Sequence, residues 1–214
     1  MECCQADGIE KFMDTNYASK ELKRYRKKGP IKTTKLLLEA LKRESITGMT
    51  LLDIGGGVGA LQHELLKNGV TEVTSVDASS AYLEMSREEA KRQGHSNLLK
   101  QYHGDFVKVA KEINDADIVT LDRVICCYDD MENLVKLSAS RAKKFYGAVY
   151  PINNWWNSFM TATQNFYRRI IRCQFRVFNH STETIEKLIR NEGLEKYFSH
   201  KTFVWQIQIF RRIT

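Results

Sequence analysis

The run Asp53-Ile54-Gly55-Gly56-Gly57-Val58-Gly59-Ala60 constrains this 214-residue chain more than any other feature. It follows the apolar segment Met49-Thr50-Leu51-Leu52 and precedes Leu61, Leu65 and Leu66, which fall at helical spacing. A strand that turns through glycines directly into a helix is the opening half of a right-handed βαβ unit. Glycines let the backbone turn tightly and leave no Cβ between it and a bound molecule. The plainer alternative is an ordinary turn in which Asp53 caps the helix.

The downstream rhythm favours the first reading. Strands are expected at 49–54, 72–77, 98–102, 117–121 and 146–151, with helices between them at 58–68, 80–93, 106–113 and 130–143. Such alternation predicts an α/β fold, a doubly wound and mostly parallel sheet covered on both faces. Two helices, 8–28 and 31–44, precede it, the first stopped by Gly29-Pro30. After Pro151 the rhythm gives way to an aromatic and basic stretch, 152–178, then a helix at 181–192 between Ser181 or Thr182 and Gly193. The segment 202–210, TFVWQIQIF, alternates apolar and polar residues and predicts an antiparallel edge strand. With two prolines and no linker, residues 1–214 are expected to form one domain, with 1–45 as a helical lid and 152–180 as a cap insertion.

Composition narrows the class. Hydrophobic residues at 43% and charged residues at 28% suit a packed core and argue against disorder. No apolar run approaches the ~18 residues of a membrane span, and the first residues, MECCQADGIEKF, lack the apolar stretch of a signal peptide. A cytoplasmic protein without a membrane partner, monomeric or homodimeric, is the expectation. Four of the five cysteines form the adjacent pairs Cys3-Cys4 and Cys126-Cys127, which suits neither a secreted disulfide framework nor zinc spacing. Soft thiolates could hold a soft metal, but small apolar packing is the preferred reading and no metal is expected. The net charge of +7 is compatible with a polyanionic partner and equally with simple solubility.

The glycine turn alone fits two nucleoside cofactors, because Gly55-x-Gly57-x-x-Ala60 also satisfies the dinucleotide fingerprint. Asp53 tips the balance away from the dinucleotide, leaving an NAD oxidoreductase as the last of the alternatives. A buried carboxylate repels the pyrophosphate of NAD, whereas S-adenosylmethionine (SAM) presents an ammonium and a sulfonium, both positive. Asp77, about 20 residues beyond the loop and at the end of the second strand, is placed to accept from ribose hydroxyls. Asp105, in Gly104-Asp105-Phe106, is placed to accept from an adenine amino group with Phe106 beside the ring.

These residues occur in order at successive strand ends, and the order resembles the class I SAM-dependent methyltransferase family over residues 31–151. The resemblance implies a seven-stranded Rossmann-like sheet with an antiparallel last strand. It implies that Asp53, Gly55, Gly56, Gly57 and Gly59 hold the methionine part of SAM, Asp77 and Ala78 the ribose, and Gly104, Asp105 and Phe106 the adenine. Asp122, ending the fourth strand, would lie beside the cofactor. The stretch from Gly104 to Tyr128 is also locally similar to magnesium-protoporphyrin methyltransferases. The fourth strand continues Asp122-Arg123-Val124-Ile125-Cys126-Cys127-Tyr128, without the Asn/Asp-Pro-Pro-aromatic sequence of amino methyltransferases, which points to a small-molecule acceptor. Cysteines replace the family's histidine there, so no histidine base carries over.

In-line methyl displacement leans on proximity and orientation, with a base needed only for a protonated nucleophile. Candidate bases are Asp122, Tyr128 and His180, with His103 behind them. Candidate acceptor contacts are Tyr17, Tyr25, Cys126, Cys127, Trp155, Trp156 and Arg168. On a helix, Arg168, Arg172 and Arg176 would form one basic stripe. The rival readings are an RNA methyltransferase, using that stripe and the basic cluster at 23–28, and a non-catalytic binder of SAM or NAD.

Overall fold

Leu51 and Leu52 show how the sheet is made. They are adjacent, and both are essentially inaccessible to solvent. Neighbouring strand residues point to opposite faces, so both faces must be covered. The computed structural model describes the chain from Cys4 to Ile213, with side chains from Asp7 onward.

Strands β1 (Thr50–Ile54), β2 (Glu72–Asp77), β3 (Leu99–His103), β4 (Ala116–Asp122), β5 (Ala142–Pro151), β6 (Leu194–Lys201) and β7 (Trp205–Arg212) form one sheet. Its order is β3-β2-β1-β4-β5-β7-β6. The first five strands run parallel, and β7 is antiparallel to both β5 and β6. Leu51, Val73, Ile118 and Val149 pack on one face against α3 (Lys32–Leu41) and α4 (Ala60–Leu66), through Leu37, Leu41, Leu61 and Leu65. Leu52, Val76, Val119 and Leu121 pack on the other against α6 (Phe106–Val109), α7 (Met131–Ser140) and α9 (Thr182–Asn191). Each fully buried leucine contributes roughly 1.5–3 kcal/mol relative to an exposed one. A third apolar cluster joins α2 (Thr15–Lys28) to α5 (Ser80–Gln93) through Leu22, Tyr25, Tyr82 and Met85.

Three details depart from the sequence reading. The single helix expected over 8–28 is two, α1 (Cys4–Phe12) and α2, because the Asp14 side chain accepts from Tyr17 N at 2.8 Å and caps a new start. The strand at 202–210 is not at an edge. It lies between β5 and an unforeseen strand, β6, which is the true edge. The arginine stripe does not form, because α8 (Trp155–Ile170) ends before Arg172, whose φ of 54° is left-handed.

Sheet order fixes where a ligand can sit. The chain reverses direction of growth between β1 and β4, so the helices that follow them lie on opposite faces and the C-terminal ends of the two strands open a crevice.

Candidate functional site

A cavity of about 430 Å³ occupies that crevice. Its floor is the turn after β1 together with the ends of β2, β3 and β4, and its roof is α1, α2, Arg168 and the segment Phe175–Val177.

The glycine turn is locked from below. The Asp53 carboxylate accepts from Thr120 Oγ1 at 2.7 Å and from Gln62 Nε2 at 2.9 Å, and the amide of Gln62 also reaches Ser75 Oγ. A Cβ on Gly56 would collide with Gln62 Nε2 and with the Asp53 carboxylate, so glycine is required there by close approach. Gly57, at a φ of 55°, donates its N–H to Asp77 Oδ2 at 2.9 Å, and Ser79 N donates to Asp77 Oδ1. Asp77 thus ties the turn to the end of β2.

Asp105 caps α6 and accepts from Val107 N at 3.0 Å and from the Tyr128 hydroxyl at 2.6 Å, both on Oδ1. Asp122 accepts from Thr34 Oγ1, while its other oxygen, 3.5 Å from Arg123 Nε, makes no hydrogen bond. Arg123 has a φ of 64°, costly for a side chain with a Cβ, and its guanidinium approaches Glu21 at 3.8 Å. Glu21 also accepts from the Tyr82 hydroxyl.

Burial dominates the electrostatics. It pushes Asp53 up to about 7, only partly offset by Thr120 and Gln62, with Asp122 and Asp77 adding repulsion. Burial likewise raises Asp77 to about 6, against the hydrogen bonds from Ser79 and Gly57. Asp122 is raised by burial, with Arg123 opposing. A buried group of carboxylates held near their ionisation point attracts a cation and repels phosphate.

The adjacent cysteines share the cavity with the acidic residues. Cys126 and Cys127 both line the cavity, with sulfurs 3.8 Å apart. The contact from Cys126 lowers the Cys127 thiol, aided by Arg123 and Arg168. Overhead, Phe12 stacks on Phe175 at 5.1 Å, and the Arg168 guanidinium lies 5.0 Å from the Phe175 ring.

Of the residues singled out by sequence, Asp53, Gly55, Gly56, Gly57, Asp77, Ala78, Gly104, Asp105, Phe106 and Asp122 all line this cavity. So do Tyr17, Cys126, Cys127, Tyr128 and Arg168. Gly59 instead caps α4 behind the turn. Tyr25 is buried and donates to Glu64 Oε1, away from the cavity. Trp155 and Trp156 face solvent, and neither is in the wall. His180 bonds the Tyr128 carbonyl at 2.8 Å, an anchoring role, and His103 is an exposed partner of Glu10. Glu21, Tyr82, Thr34 and Phe12 went unnoticed, while Arg123 and Phe175 were read only as parts of the fourth-strand segment and of the cap. Only Glu21 carried a signal, since Tyr17, Glu21 and Arg24 fall on one face of α2.

Residues 52–144 match the methyltransferase domain family Methyltransf_11. Residues 52–144 thus carry a methyltransferase domain, and the fold around them is that of class I SAM-dependent methyltransferases. The cofactor of that domain is SAM, and the buried carboxylates lining the cavity suit its positive charges. Across 91 residues the domain is 34% identical to the ribosomal protein L11 methyltransferase of Escherichia coli strain SMS-3-5, a match that covers 42% of this chain and 30% of that protein. The chain therefore aligns with less than a third of the length of the curated relatives it matches. In fold it is similar to the magnesium protoporphyrin IX methyltransferase of Synechocystis PCC 6803 crystallised with SAH, with a TM-score of 0.71 at 15% identity, covering 96% of this chain and 98% of that one. An O-methyltransferase family protein from Burkholderia thailandensis gives a TM-score of 0.71 at 13% identity, covering 94% of this chain and 61% of that one. Among the described residues no helix is long and apolar enough to cross a membrane, and no three His, Cys, Asp or Glu side chains cluster as metal ligands would.

Proposed function

We propose that the protein methylates a small molecule with SAM, the acceptor entering beneath the roof formed by α1, α2 and the segment after α8. The observation that carries this reading is the convergence of Asp53, Asp77, Asp105 and Asp122, from four adjacent strand ends, on one cavity. SAM supplies a methyl group already activated by its sulfonium. The glycine turn would hold its methionine part, Asp77 the ribose hydroxyls, and Asp105, through Oδ2, the adenine amino group. Tyr128, which holds Asp105 Oδ1, is assigned to positioning rather than proton transfer.

Asp122 is the group assigned to the reacting end. It sits beside Arg123 and Cys126, and one of its buried oxygens makes no hydrogen bond, so it can accept from an acceptor's O–H or N–H. Its raised pKa favours uptake of that proton. Arg123 and Arg168 flank the space above and would orient an anionic or polarised acceptor. A cavity of about 430 Å³ is near the small end of ligand sites, roughly 300–1,000 Å³, which favours a compact acceptor over a polymer. RNA is disfavoured further because Arg26, in the basic cluster, is already paired with Glu88 and Glu89. The test is conversion of SAM to S-adenosylhomocysteine over a panel of phenols, carboxylates, thiols and amines. Turnover lost in Asp122→Asn, with SAM affinity kept, supports the assignment. SAM binding without turnover on any acceptor leaves a non-catalytic binder as the better reading.

A further inference from the structure

Helix α8 is built inside out. At about 100° per residue, Trp155, Phe166, Phe159, Ile170, Trp156 and Tyr167 fall within one arc of roughly 120°. All six are exposed, Trp155 to 78% and Phe166 to 67%. The face turned to the protein is polar. Asn157 is its one buried residue, and the Asn157 amide donates to the carbonyls of Ile152 and Val204 at 2.8 and 2.9 Å. Asn165 is clamped to Val177 by a donated and an accepted bond, at 2.7 and 3.0 Å. Side-chain amides therefore hold the helix in place and leave its apolar side outward. The contact at Val204 brings Phe203, 78% exposed, beside the N-terminal end of the helix.

From Ile152 to Thr182 the chain holds four arginines and no acidic residue. Arg169 and Arg172 are exposed at the C-terminal end of α8, next to Phe166 and Ile170. Aromatic residues on one side and arginine at the margin fit the boundary between lipid headgroups and acyl chains. The absence of acidic groups, within a chain of net charge +7, favours an anionic surface and opposes pairing with a second, equally positive copy.

We propose that α8 docks the protein on the surface of an anionic lipid bilayer, lying in the interface without crossing it. This revises the sequence-based expectation of no membrane partner and does not depend on the reaction assigned above. Arg168 lines the cavity from the same helix, so the docking face and the cavity roof are two sides of one element.

The experiment is flotation of the full chain with vesicles of phosphatidylcholine alone or of phosphatidylcholine with phosphatidylserine, with tryptophan emission read alongside. Flotation with the anionic vesicles only, with a blue shift as Trp155 and Trp156 leave water, is the expected result. Phe159→Ser combined with Phe166→Ser should cut the bound fraction about tenfold or more, and Arg169→Glu should weaken it further at low salt. Circular dichroism and SAM affinity unchanged in these variants show that they remain folded. Failure to float, or equal flotation with both vesicles, overturns the proposal. So does a dimer in sedimentation velocity that the same variants convert to monomer, or RNA binding that they abolish while vesicles are ignored.

Discussion

Replacing Asp53 by Asn should stabilise the empty protein and weaken cofactor binding at once. The carboxylate has an ordinary pKa of 3.8 and is pushed to about 7 in the fold, chiefly by burial. Between those values the folded chain holds a proton that the unfolded chain has released. Stability therefore falls as pH rises through that window and stays lowered above it. Three pH units at about 1.4 kcal/mol each set a ceiling of about 4 kcal/mol on what the ionised group costs. Asparagine removes that cost. It can keep the bond from Thr120, and Gln62 can turn its amide over, since Gln62 Oε1 makes no hydrogen bond in the fold and Ser75 Oγ can donate to it. Half the ceiling, about 2 kcal/mol, would raise Tm by roughly 4–8 °C for a chain of this size. The gain should appear at about pH 8 and fade toward pH 4, vanishing below about pH 3, where the carboxyl is protonated in both states. Calorimetry should show SAM affinity reduced about tenfold or more, since a charge-assisted contact to the ammonium is lost. A variant that melts below the parent at every pH would refute the reasoning, because the two hydrogen bonds would then be holding the ion comfortably.

Other expectations follow from the same geometry. Asp77→Asn loosens the tether on Gly57 N and should weaken SAM and S-adenosylhomocysteine alike, by about tenfold, in titration calorimetry. Gly56→Ala drives a Cβ into Gln62 and Asp53 and should cost about 1–3 kcal/mol in urea unfolding, with cofactor binding impaired in parallel. Burial lowers His63 from an ordinary 6.5 to about 4, so its contribution to stability is present above pH 6.5 and is lost as pH falls toward 4. The His63→Gln variant should show a flatter acid limb in Tm against pH. Tyr128→Phe removes one hydrogen bond from Asp105 and should raise the Kd for SAM about threefold to tenfold with little change in kcat.

Much of the cofactor floor was legible because strand ends announce themselves. Asp53 and Asp77 lie at the ends of the apolar runs of β1 and β2, Asp105 follows the glycine just after β3, and parallel register places those ends together. A lid from residues 1–45 and a cap from 152–180 were expected, with Tyr17 and Arg168 among their contacts, but which residues meet in the roof was not legible, because they lie far apart in sequence. Phe12 and Phe175 meet only when α1 folds over the segment that follows α8. Strand β7 misled for a physical reason. Gln206 and Gln208 alternate with isoleucines as in a strand wet on one side, yet both are fully buried. Gln208 is satisfied at both ends, accepting from the Tyr150 hydroxyl and donating to Glu186, while the Gln206 amide donates to the Thr182 hydroxyl and the Pro151 carbonyl and leaves its own oxygen without a hydrogen bond. Strand β6 was missed because an edge strand with Leu194 as its one buried residue has no pattern to read. The aromatic residues of 152–178 were expected over the substrate, yet on α8 they face outward, since the asparagines there satisfy backbone carbonyls where a core would normally be.

The position of β7 between β5 and β6 bears on how the chain is assembled. A ribosome delivers β1 to β5 in an order that lets each parallel strand find its neighbour as it emerges. Strand β6 comes next but has no neighbour waiting, because its partner in the sheet is β7. Until residues 205–212 arrive, the flank of β5 stays open and the β6 segment has nowhere to pair. One late hairpin then closes that flank, adds both strands together and brings Val204 to the carbonyl position that Asn157 recognises. Release of the growing chain before that moment leaves an unpaired strand edge, the kind of surface that chaperones bind and aggregates grow from.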